Sequence, residues 1–259
     1  MSTGLVPALA ALGGAVGLLS GWSAVAVERW QALEAEEEEE RLEYEREAAG
    51  GAEASGSDAP PAALPAAGWQ GGRSEWHGDR YGWTWLERVL SPLMGAAAFG
   101  LFAAHEGAGR GLVIHCLWMA VFVHIVAFDL KHRLILNVIT YPTVGLALVL
   151  APVTPGMTPV AALTGAVSVS LFFLAQSLIS RGRIGLGDAK LAALIGAVTG
   201  LSPDGGQIRA LYAVMYAVFL GGGVAMLLLA TRLRGRKDPI PYGPFLCAGA
   251  ALILYQSPS

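Results

Sequence analysis

Charge is what this sequence has least of. Only 14% of its 259 residues are Asp, Glu, Lys or Arg, while 54% are hydrophobic; a soluble domain carries roughly 25% charged residues. So thin a polar supply excludes an ordinary soluble fold. Cysteine is scarce as well, since Cys116 and Cys247 are the whole complement and both stand inside apolar runs. Two such thiols exclude a disulfide framework and a thiolate zinc site, and no metal or other cofactor is expected. The N-terminus lacks the basic flank of a secretory signal, so the apolar block from Leu5 to Val27 reads as a retained first helix. Alternating lipid-facing strand patterns are missing, which leaves helices to satisfy the backbone in a bilayer. Neither a Gly-x-Ser-x-Gly elbow nor a Walker-type loop is present, and nucleic acid is not an expected partner.

What the chain does have is apolar blocks. They run over 4–27, 89–104, 111–128, 135–151, 159–180, 189–201, 208–230 and 242–256, several close to the ~20 residues that cross a bilayer. The fold class predicted is an all-α polytopic membrane protein of about eight transmembrane helices, with the lipid bilayer as its surroundings. Three regions follow: residues 1–27 as the first membrane helix, 28–87 as an insert and 88–256 as the main membrane domain. The insert opens with the acidic stretch Glu34 to Glu47, and residues 48–72 have the Ala, Gly, Ser and Pro of a linker. Trp69, Trp76, Trp83 and Trp85 then read as an interfacial belt.

Loop charges orient the bundle. The loops sharing a side with residues 28–88 hold Lys131, Arg133, Arg181, Arg183, Arg232, Arg234, Arg236 and Lys237; the opposite short loops offer Arg110, with Arg209 just inside a helix start. Basic loops stay in the cytoplasm, which puts the N-terminus outside and the insert inside.

Two acids then stand out. Asp129 follows the apolar stretch Val121 to Phe128, and Asp188 closes Gly185-Leu186-Gly187-Asp188 before a helix expected from Ala189. Both are expected at helix ends on the cytoplasmic side, where an acid is costly unless solvated, paired or used. Read singly, Asp129 is equally a helix-end residue balanced by Lys131 and Arg133, and Asp188 equally an N-cap. Gly182, Gly185 and Gly187 clear side chains from beside Asp188, as an extended peptide approaching it requires, though a tight loop needs the same residues. Beyond it Ala192, Gly196 and Gly200 recur every four residues, a pattern for close helix packing. Two facing carboxylates that share one proton suit an aspartyl protease: one activates water, the other protonates the carbonyl oxygen.

These residues resemble the prepilin peptidase family, or type IV leader peptidases. Asp129-Leu130-Lys131-His132-Arg133-Leu134-Ile135-Leu136-Asn137, with Thr140 and Pro142, is similar to the family's first aspartate motif. Gly185-Leu186-Gly187-Asp188-Ala189-Lys190-Leu191 is similar to its Gly-x-Gly-Asp signature, and Ile240-Pro241-Tyr242-Gly243-Pro244-Phe245 to its lead-in to the last helix. The resemblance covers roughly residues 88 to 256. It implies a membrane aspartyl protease with Asp129 and Asp188 catalytic. It further implies that Gly185, Gly187, Lys190, Asn137, Pro241 and Gly243 shape the site. The implied partners are type IV prepilin or pseudopilin precursors, cut after a glycine in a basic leader at the cytoplasmic face of the bacterial inner membrane. Many members also methylate the new N-terminus, through a region with two Cys-x-x-Cys pairs between the first two helices. Here residues 28–87 hold no cysteine, so zinc binding there is excluded and methylation is not expected.

Other groups have quieter readings. Lys131 and Lys190 each follow an aspartate by two residues, a helical spacing that points to different faces. His105, His115 and His124 form no ligand spacing, and His132 is expected to face water. Two rivals remain: a preflagellin-type peptidase sharing the acid pair, and a small transporter using the same acids for ion or proton coupling.

Overall fold

A computed structural model describes residues 4–23, 26, 86–133, 135–180, 185–232 and 241–257. Outside them lie Glu34 to Glu47, the linker and the four tryptophans of the insert, together with Arg181, Gly182, Arg183, Arg234, Arg236 and Lys237. The chain divides into two units: Met1–Gly21 with Trp85–Ser259, and Trp22–Thr84. The second falls almost wholly outside the described residues.

The chain is an all-α polytopic membrane protein, and no strand occurs among the described residues. Among the described residues five helices are long and apolar enough to cross a bilayer. They are α1 (Leu5–Ser23), α2 (Ser91–Glu106, entered through a π-helical turn at Leu86–Leu90), α3 (Arg110–His132), α5 (Pro159–Ile179) and α7 (Arg209–Ala230). Interleaved with the later ones are α4 (Asn137–Leu150), α6 (Leu186–Thr199) and α8 (Gly243–Gln256), of 14 residues each. At ~1.5 Å per residue each of these reaches ~21 Å, short of a ~30 Å hydrocarbon core.

Apolarity does not choose the packing faces, because lipid accepts apolar side chains as readily as the core does. Phe172, Ile179, Phe219 and Met226 all stand exposed on α5 and α7. Small residues choose them instead, by letting backbones touch. A Cβ on Gly196 of α6 would lie 2.1 Å from the Gly165 carbonyl oxygen of α5, and one on Gly165 would lie 2.2 Å from that of Gly196. Gly13 of α1 and Gly95 of α2 meet the same way, at 2.2 and 2.0 Å, and Gly249 of α8 lies as close to Ala213 of α7. Around these crossings α6 becomes the most enclosed helix, with Leu191, Ala192, Leu194 and Ile195 fully buried.

The helix ends are set locally. Thr158 accepts the Ala161 N–H at 3.1 Å and Pro159 opens α5, a standard N-terminal device. The α3 helix stops where Arg133 turns left-handed (φ 54°) and returns its N–H to the Asp129 carbonyl at 2.8 Å. Only a short link then separates Asp129 from the start of α4.

Candidate active site

Asp129 lies in the last turn of α3, inside the helix rather than beyond it, and is 4% exposed. A carboxylate buried that far needs a hydrogen-bond partner. It has one in the backbone N–H of Gly243, which donates to Oδ2 at 3.1 Å. Gly243 is the first residue of α8, so this N–H belongs to the unsatisfied, positively polarised start of a helix. Pro244 follows and has no N–H to offer. A side chain at 243 would not fit: its Cβ would stand 2.5 Å from Asp129 Oδ2 and 3.1 Å from Cγ. Pro241, half-buried, directs the chain into this start through its fixed φ.

Asp188 departs from its expected place. The α6 helix begins at Leu186 rather than Ala189, with Gly185 as its N-cap, so Asp188 is the third helical residue and not the cap. Its side chain reaches back to the Gly185 backbone N–H, while its own N–H donates to the Gly185 carbonyl at 3.1 Å. That is the returning half of a capping box. Leu186 and Gly187 are helical despite the glycines because packing overrides local preference. With no side chain on Gly187, Ile135 comes so near that a Cβ there would be 3.3 Å away.

Asp129 stands at the end of α3 and Asp188 in the first turn of α6, and the Asp188 charge acts on Asp129. Tyr242 shares the space: burial first, then the Asp188 charge, raises its phenol above the usual value and keeps it neutral. Its ring lies 6.1 Å from Phe173 and 6.4 Å from Phe245. Sequence reasoning quoted Tyr242 within a motif without giving it a place, and no spacing rule would have supplied one.

The remaining predicted residues gather beside the pair. Lys190 of α6 donates to Asn137 Oδ1 of α4 at 2.7 Å and sits 5.5 Å above the Tyr141 ring. A small cleft between α3 and α4 is lined by His124, Ile125, Phe128, Ile135, Leu136, Ile139 and Thr140. Lys131 is buried, and the His132 ring leans on Phe128 at 4.6 Å rather than standing free in water. The other histidines go elsewhere: His115 pairs with Glu106, and His105 stacks on Tyr255 at 4.4 Å. Among the described residues no group of three His, Cys, Asp or Glu is placed to hold a metal ion.

Two acids stand on separate helices, Asp129 buried in the last turn of α3 and Asp188 half-buried in the first turn of α6. That pairing suits the sharing and passing of a proton. Residues 116–228 match the type IV leader peptidase family, and the match takes in both aspartates. That segment of the chain is similar to the type IV leader peptidase family.

A prepilin leader peptidase/N-methyltransferase of Xanthomonas campestris pv. campestris is 27% identical over 177 residues. The alignment covers 66% of this chain and 57% of that relative, so the chain spans little more than half of the relative's length. No solved structure matches it. The leader peptidase match stops before Gly243, so the contact that holds Asp129 comes from the α8 start, beyond the matched segment.

Proposed function

We propose that the chain is a leader peptidase that cuts type IV prepilin or pseudopilin precursors at the cytoplasmic face of the bacterial inner membrane. Asp129 and Asp188 act as its aspartyl pair. The observation that carries the reading is the placing of these two acids at the end of α3 and in the first turn of α6, where the Asp188 charge acts on Asp129. One carboxylate, ionised, takes a proton from water as the oxygen attacks the scissile carbonyl. The other, protonated, donates to the carbonyl oxygen as it gains negative charge, and the pair exchanges roles when the amine leaves. The Gly243 N–H steadies Asp129, and the Gly185 N–H steadies Asp188. Cytoplasmic orientation rests on the basic residues of the loops that follow α3, α5 and α7.

Peptidase action without N-methylation is the reading we favour, because residues 28–87 lack the cysteine pairs that the methylating relatives carry there. The test is co-expression with a prepilin and mass spectrometry of the product. Leader loss by the wild type, none by Asp129→Asn or Asp188→Asn, and an unmethylated new N-terminus are expected. Rate against pH should be bell-shaped, as a pair sharing one proton requires. Normal cutting by either Asn variant would sink the aspartyl mechanism, and a methylated product would sink the restriction to peptidase action.

A further inference from the structure

Lys190 follows Asp188 by two residues, a helical spacing that turns its side chain away from that carboxylate. Its ammonium goes instead to α4, donating to Asn137 Oδ1 at 2.7 Å and lying 5.5 Å above the Tyr141 ring. Asn137 is the first residue of α4, and Tyr141, four residues on, shares its face. The first turn of α6 is thus fastened to the start of α4 by a charged hydrogen bond and a cation–π contact. Ile135 against Gly187 adds a close apolar contact at the same level. On the other side the Arg133 N–H donates to the Asp129 carbonyl at 2.8 Å and closes α3 a few residues before α4 begins. The result is a strut that holds the first turn of α6, which carries Asp188, against the start of α4 through Asn137 with Lys190 and Ile135 with Gly187.

We propose that Lys190 and Asn137, with Tyr141 as backing, are positioning residues that set the separation of the two carboxylates. The proposal rests on the aspartyl reading and adds to it a place for Lys190. Its ammonium works through Asn137 and α4, not as a charge on the pair. Carboxylates that share a proton must hold their spacing closely, and a displacement of about 1 Å in a catalytic constellation costs ~10²-fold in rate. Loosening one strut contact, with Ile135 still in place, should cost less.

The experiment uses the full chain in proteoliposomes with a purified type IV prepilin, measuring kcat and KM for Lys190→Met, Asn137→Ala and the double variant. Each single change should lower kcat by ~10-fold with KM within about twofold, because the strut orders the acids and does not bind the precursor. The double variant should lose no more than either single, whereas independent residues would lose ~100-fold together. Lys190→Arg, which can still reach Asn137, should recover most of the rate, and melting temperatures should stay near that of the wild type. Wild-type kcat in Lys190→Met, multiplicative losses in the double variant, or a loss that follows a lowered melting temperature would each overturn the strut. Asp129→Asn and Asp188→Asn are run beside them. If either still cuts, the aspartyl reading fails and the strut with it; if both are dead while Lys190→Met cuts normally, only the strut fails.

Discussion

The α3 helix carries a buried acid contact at each end, and the two are built on opposite rules. Near its N-terminal end His115 meets Glu106, the last residue of α2, and both side chains are almost fully buried. Toward its C-terminal end Asp129 meets another acid, with a backbone N–H as its hydrogen-bond partner. An acid that faces a base can settle into a hydrogen-bonded pair whose role is to join two helices. An acid that faces an acid cannot, and under the proposed aspartyl reading the two would share one proton. Burial alone therefore does not mark a reactive group in this bundle; the identity of the neighbour does.

Variants at the two ends should separate accordingly, and in order of their effect on cleavage they are these. Asp129→Asn or Asp188→Asn should lower cleavage by roughly 10³-fold or more. Either should leave the melting temperature equal or higher, because one of two like charges is gone. Gly243→Ala should lower cleavage by ~10²-fold, since its Cβ must displace the Asp129 carboxylate or the start of α8. A wild-type rate in that variant would mean that the glycine serves only the helix start.

His115→Ala should reverse the pattern. It should cost about 3–5 kcal/mol of stability by stranding Glu106 in the core, read as a drop in melting temperature in detergent. Cleavage per folded molecule should stay within about twofold of wild type. Smallest of all should be the paired change Glu106→Leu with His115→Leu. Replacing both partners of a buried pair by apolar groups is close to neutral in stability, and it should leave cleavage alone. If that double variant lost cleavage while remaining folded, the contrast between the two ends would collapse and the Glu106 end would have a role in catalysis.

Much of the fold was legible because each helix is written in one contiguous apolar run. The expected runs 159–180, 208–230 and 242–256 differ from α5, α7 and α8 by a residue or so at each end. Asp188 was misplaced by one turn. Glycines at 185 and 187 signal a loop in isolation, but contact with Ile135 makes the missing Cβ an advantage inside the helix. The cross-helix partners were not legible at all. Glu106 with His115, Lys190 with Asn137, and Gly243 with Asp129 each depend on which helices are neighbours. In a membrane protein the lipid-facing and core-facing sides are both apolar, so the pattern that announces a helix does not aim it.

The backbone crossings at Gly13 with Gly95 and at Gly165 with Gly196 bear on how a mutational survey of this protein would read. Even alanine cannot be accommodated there without moving a helix, since the added carbon would stand about 2 Å from a carbonyl oxygen. A saturation screen scored only by product formed would therefore rank these glycines beside Asp129 and Asp188. Intolerance to substitution would trace a line through the bundle that has nothing to do with proton transfer. Measuring the amount of protein in the membrane alongside its product would resolve that line into two sets: positions that the molecule needs in order to exist and positions that it needs in order to cut.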